Sequence, residues 1–145
     1  QIVIGGEVTA VDQAVAYLTE AGAKRMIPLN VSGPFHTALL KPAAEKLKAI
    51  FTEIELNEMT IPVISNTTAQ VMEQSEIKDL LEKQVMSPVR FYESIETLKN
   101  LGVEQIVEIG PGKVLTGFVK KIDKTIKVTR VEDVKTFEET LEALA

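Results

Sequence analysis

The sequence contains one histidine, His36, in the stretch VSGPFHTALLKP, where a Gly-Pro-Phe turn precedes it and a helical pattern follows. Two roles suit such a residue. It is a surface or capping histidine, or it is a general base. Near the positive end of a helix dipole the imidazolium form is disfavoured, which keeps the ring neutral and able to accept a proton at pH 7. A base needs a nucleophile to deprotonate, and Ser32, Ser65, Ser75, Ser87 and Ser94 offer no Gly-x-Ser-x-Gly elbow. A self-contained hydrolase built on His36 and a non-elbow serine is therefore the least supported enzyme reading. The second candidate is GPGKVLTG, residues 110–117, which joins a strand pattern to a helix pattern and could cradle a phosphate on its amides. It lacks the Gly-x-x-x-x-Gly-Lys-Ser/Thr pattern, and Leu115 occupies the last glycine position of a dinucleotide fingerprint. A tight turn is the favoured reading.

Composition removes most other chemistry. With no cysteine and a single histidine, disulfide frameworks, thiolate nucleophiles, iron–sulfur clusters and multi-histidine metal sites are excluded, and no metal site is expected. Sixteen basic against twenty-one acidic residues give a net charge of −5 with no basic block, so nucleic acid is not an expected partner. No apolar run approaches the ~18 residues of a membrane span, and a cytoplasmic location is expected. The 145 residues, 45% hydrophobic and 26% charged, suit one globular domain or a little more. The start at Gln1, with neither an initiator Met nor a signal-peptide pattern, points to a piece of something longer.

The elements that must position His36 alternate. QIVIGG reads as a short strand. Val11, Ala14, Val15 and Leu18 make a helix stripe that Gly22 closes. Residues 25–32 read as an edge or bulged strand around Pro28. A helix from Thr37 to about Phe51 tolerates Pro42 in its first turn. IPVIS, residues 61–65, is a buried-strand candidate, and residues 66–74 read as loop. A short helix over 76–85 ends at Ser87-Pro88. The next helix carries Phe91, Ile95 and Leu98 and stops at Gly102. A strand over 103–109, a helix through Val114, Leu115, Phe118, Val119 and Ile122, and a strand over 125–131 follow. A last helix carries Phe137, Leu141 and Leu144, with Thr136 and Glu139 as a capping box if it starts there. Strands separated by helices predict an α/β fold with a largely parallel sheet. A subdomain boundary is expected near residues 32–34.

VSGPFHTALLKPAAEKL, IPVISN, KQVMSPVRFYESIETL and GVEQIVEIGPGKVLTGFVKKI, in this order and spacing, resemble the bacterial malonyl-CoA:acyl carrier protein transacylase family. The resemblance covers essentially the whole chain and corresponds to the family's C-terminal portion. It implies the C-terminal half of an α/β-hydrolase-like acyltransferase domain, residues 32–145. Residues 1–31 then form part of a ferredoxin-like small subdomain. The implied activity moves malonyl from coenzyme A to a serine and then to the phosphopantetheine thiol of the acyl carrier protein, in fatty acid biosynthesis. No cofactor is implied, since malonyl-CoA and phosphopantetheine enter as substrates.

Within the matching motifs His36 takes the place of the catalytic histidine, and Gln84 that of the glutamine whose backbone carbonyl accepts the histidine Nδ1–H. A neutral acceptor fixes the tautomer more gently than an ionised carboxylate would. Asn66 falls in a matching stretch with a lesser role as packing or site wall. Phe35 falls where related acyltransferase domains of polyketide assembly carry Phe when they use malonyl and Ser when they use methylmalonyl. It is thus a specificity candidate, or simply a core aromatic that anchors the turn. The family's serine elbow, its malonyl-gripping arginine and its oxyanion hole have no counterpart in these residues. The resemblance therefore implies that the chain is inactive alone and needs the N-terminal portion of the same enzyme as a partner. The reading from another class is a non-catalytic α/β binding or interaction module.

Overall fold

In a computed structural model, residues 2–145 are described, and the chain divides into two compact units, Gln1–Arg90 and Phe91–Ala145. Gln1, the first residue of the expected QIVIGG strand, lies outside the described residues.

The second unit holds the sheet. Helix α4 (Phe91–Asn100) ends as the glycine signal predicts, with Gly102 in the left-handed region at φ 83. Strands β1 (Gln105–Ile109) and β2 (Lys127–Val131) pair in parallel, Gln105 opposite Lys127 and Ile109 opposite Val131. Parallel partners need a long crossover, and α5 (Val114–Ile122) provides it. This βαβ unit bears out the α/β expectation. Ile95 of α4, Val119 of α5 and Ile126 form a buried core, with Phe91, Leu98, Ile106, Ile122 and Val128 packed around it. The Phe91 and Phe118 rings meet edge to face at 6.0 Å between centroids. Helix α6 (Val134–Leu144) lies on β2, and the Thr140 hydroxyl donates to the Arg130 carbonyl at 2.9 Å. Its cap differs from expectation. Asp133, not Thr136, is the N-cap: its carboxylate accepts from the Thr136 N–H at 2.8 Å, and the Thr136 hydroxyl closes the box from the third helical position. Thr136 is buried there, and the helix begins one turn earlier than its Thr-x-x-Glu spacing suggested.

The first unit is helical among its described residues. Helix α1 (Val8–Glu20) closes at Gly22, φ 94, as expected. A 3₁₀ turn (Ala38–Leu40) leads into α2 (Lys41–Glu53), with Pro42 in the first turn, where its missing N–H leaves no bond unmade. A second 3₁₀ turn (Gln74–Glu76) leads into α3 (Ile77–Gln84), which packs on α2. Two lysines link the pair from opposite sides. Lys48 of α2 reaches Glu82 at 3.0 Å, and Lys78 of α3 donates to the Ile54 carbonyl just past the end of α2.

Three expected strands are not formed. Residues 2–6 and 25–32 carry no ladder, and IPVIS contributes only one antiparallel bridge, Ile64 to Val71. β-branched runs supply propensity, but a strand exists only when its N–H and C=O groups meet a partner. In IPVIS, the run expected to be buried, Ile61 is 74% exposed and only Ser65, at its end, is buried.

Candidate active site

His36 sits in a tight turn of the first unit. The Phe35 N–H donates to the Gly33 carbonyl at 2.9 Å, and the Thr37 hydroxyl donates to the Pro34 carbonyl at 2.7 Å. His36 itself lies at φ 61, a left-handed conformation uncommon outside glycine, though His is among the residues enriched there. The helix that follows is not immediate, because a 3₁₀ turn separates the ring from the start of α2 at Lys41. A dipole acts chiefly within the first turn of its own helix, so the orientation of this ring comes from elsewhere.

It comes from the end of α3. A helix leaves its last carbonyls without intrahelical donors, and the Ser87-Pro88 sequence just beyond prevents continuation. His36 takes two of those carbonyls at once: its backbone N–H donates to Val85 at 3.1 Å, and its Nδ1 lies 3.0 Å from the Gln84 carbonyl oxygen. A carbonyl can only accept, so that bond places the proton on Nδ1 and leaves the Nε2 lone pair free. The ring is exposed, with Nε2 the one ring nitrogen left to act as an acceptor.

The expected pair of His36 and the Gln84 carbonyl is thus brought together across 48 positions of sequence. The Val85 carbonyl is the partner that sequence reasoning missed, although the Ser-Pro stop signalled free carbonyls at this point. Phe35 is 56% exposed, which is incompatible with a core aromatic, and its ring lies against Gly33. Asn66 is half-buried in a tight loop. The loop is closed by the Ala69 N–H donating to the Ser65 carbonyl at 2.8 Å, and the Asn66 carbonyl accepts from the Arg90 N–H at 3.0 Å.

The GPGK segment resolves as a turn, with carboxylates of the chain itself taking several amides of the turn and of the start of α5. Glu108, at the end of β1, accepts from the Leu115 N–H at 3.0 Å, the Thr116 N–H at 2.8 Å and the Thr116 hydroxyl at 2.6 Å. Glu132 accepts from the Gly112 N–H at 2.6 Å and pairs with Arg130. The start of α5 therefore holds internal carboxylates where a phosphate would sit. These bonds favour the ionised forms. Thr116 holds Glu108 below the ordinary carboxylate range, and the Gly112 N–H with Arg130 does the same for Glu132. Glycine is required at two places in this turn, Gly110 at φ 132 and Gly112 at φ 88. Among the described residues no cluster of His, Asp and Glu is arranged to hold a metal ion, and no helix is long and apolar enough to cross a membrane.

No family model matches the chain. Individual proteins do. It is 50% identical over 145 residues to the malonyl CoA-acyl carrier protein transacylase of Bacillus subtilis (strain 168), covering 99% of the chain and 46% of that protein. The crystal structure of MCAT from Streptococcus pneumoniae superposes with a TM-score of 0.92 at 53% identity, over 95% of this chain and 45% of that one. A malonyl-transacylase solved in complex with a type II PKS acyl-carrier protein gives a TM-score of 0.91 at 41% identity, again over 95% of this chain and 45% of that one. The chain spans somewhat under half the length of the curated relatives it matches. By sequence and by fold the chain is thus similar to the malonyl CoA-acyl carrier protein transacylases over part of their length.

Proposed function

We propose that this chain supplies the general-base portion of an acyltransferase that moves malonyl from coenzyme A to an acyl carrier protein in fatty acid biosynthesis. The observation that carries the reading is the 3.0 Å contact of His36 Nδ1 with the Gln84 carbonyl, which leaves Nε2 as the acceptor. In the proposed reaction Nε2 takes the proton of a serine hydroxyl as its oxygen attacks the malonyl thioester carbonyl. The same proton then passes to the departing coenzyme A thiolate. In the second half, Nε2 deprotonates the phosphopantetheine thiol, which attacks the acyl-serine and releases the serine with its proton restored. The Gln84 carbonyl steadies the ring in both halves without carrying charge.

The nucleophile, the malonate-binding cation and the oxyanion donors belong, in this reading, to the N-terminal portion of the same enzyme. Residues 1–31 belong to a ferredoxin-like small subdomain and residues 32–145 to the large one. Phe35 restricts the α-carbon of the acyl group, and Asn66 forms part of the site wall. The acyl carrier protein as partner is supported by the solved complex of a relative with such a protein. The proposed site is cytoplasmic.

The test is malonyl transfer from coenzyme A to carrier protein, measured for the chain alone and for the chain together with an N-terminal portion bearing the serine elbow. No turnover is expected in the first case and turnover in the second. A labelled malonyl ester on any serine of this chain, or failure of the combined protein to transfer, would overturn the proposal, the latter in favour of a non-catalytic module.

A further inference from the structure

A non-glycine residue at φ 61 persists only where its surroundings over-determine it. At His36 two determinants come from α3, the Gln84 and Val85 carbonyls. Thr37 adds two more from the other side. Its hydroxyl donates to the Pro34 carbonyl at 2.7 Å, a part-buried bond that closes residues 34–37 into a ring with His36 inside it. Its methyl faces the IVIGG segment, where a Cβ added to Gly5 would come within 3.0 Å of Thr37 Cγ2. The chain passes Thr37 there so closely that a side chain would fit only if its neighbour gave by a few tenths of an ångström, which gives this glycine a reason that neither the expected strand nor the proposed reaction supplied. The Thr37 carbonyl in turn accepts from the Leu40 N–H at 3.1 Å, tying the turn to the 3₁₀ segment.

We propose that Thr37 is a positioning residue for His36. Its hydroxyl, bonded to the Pro34 carbonyl, locks the left-handed turn so that Nδ1 stays on the Gln84 carbonyl and Nε2 stays the acceptor. The proposal rests on the reading of His36 as the base. Valine at position 37 keeps the shape and removes the hydroxyl, whereas serine keeps the hydroxyl and removes the methyl. The lost bond to Pro34 frees the turn to populate ordinary backbone angles, from which the ring no longer reaches α3.

Because the chain has a single histidine, labelling histidine with ¹⁵N gives one pair of ring nitrogens whose chemical shifts report the tautomer. At alkaline pH the wild-type ring is expected to be mainly Nδ1–H. Thr37→Val should lower the ratio of Nδ1–H to Nε2–H by about fivefold, the equilibrium equivalent of one net hydrogen bond. Thr37→Ser should stay close to wild type, with the same circular dichroism in all three. A Thr37→Val ring indistinguishable from wild type overturns the proposal. Should Thr37→Val lose its fold, Thr37→Ala decides instead: it removes the same hydroxyl with less bulk, and an unchanged ratio is equally fatal. A wild-type ring already in the Nε2–H form overturns the reading of His36 as a base, a failure visible without any variant.

Discussion

Placing a side-chain-bearing residue in the left-handed region costs about 1–2 kcal/mol, and His36 offsets it at φ 61 with both its main chain and its ring bonded to the end of α3. That arrangement separates two substitutions that look alike on paper. In the proposed full enzyme, His36→Ala should slow formation of the acyl-serine by about 10²-fold or more. Gln84→Ala should be mild, because the group that matters is a main-chain carbonyl that survives the change. Single-turnover measurement of acyl-serine formation distinguishes them, and equal damage from both would mean that the glutamine side chain takes part. At Phe35, an exposed ring next to the base, Phe35→Ser should relax the preference for malonyl over methylmalonyl by about tenfold to a hundredfold, the worth of one methyl group in a pocket. The kcat/KM values for the two thioesters settle it, and an unchanged ratio would mean that selectivity lies in the N-terminal portion of the enzyme. Both His36 and its acceptor were legible in the sequence, through motif context. The left-handed backbone was not, because no glycine or asparagine marks the position and its ring is held by a carbonyl 48 residues away.

Among the elements, the helices were legible almost to their ends, since their apolar spacing, Pro42, Gly22, Gly102 and the Ser-Pro stop are all local signals. The strands were legible only where a partner exists. The run at 103–109 found β2, while residues 2–6, 25–32 and 61–65 carry the same propensity and no ladder. Carboxylates finish the elements of the second unit in a way no local pattern predicted. Glu108 and Glu132 bond the turn before α5, Asp133 caps α6, and Asp123 takes Lys99 at 2.6 Å and the Thr125 N–H at 2.8 Å. Lys99 and Thr125 hold Asp123 far below the ordinary Asp value of 3.8, and Thr136 lowers Asp133. Since all four are depressed in the folded state, the unfolded chain binds protons first on acidification. Their contribution is complete above the ordinary values of 3.8 and 4.5 and is lost as pH falls through the folded ones. Thermal melts followed by circular dichroism should therefore show Tm level at neutral pH and falling below about pH 4.5. Asp123→Asn should flatten part of that fall, and a Tm that rises on acidification would contradict the assignment.

For the molecule as a whole, the parallel pair carries a consequence in time. Its strands, its crossover helix and the core of Ile95, Val119 and Ile126 all lie within Phe91–Ala145, so the order of this unit is closed within its own residues. A ladder closed over a buried core places these residues at the stable end of the spectrum of local openings. The described residues up to Arg90 have no ladder beyond one bridge, and their helices hold exposed apolar side chains such as Val8 and Tyr17. In native-state exchange, deuterium should enter the amides of α1 and the segment 25–32 first. The amides shared by Gln105–Ile109 and Lys127–Val131 should remain protonated longest. The chain would then behave as a clock with two hands: a unit that keeps its protons, and a histidine-bearing unit that opens many times for each opening of the other.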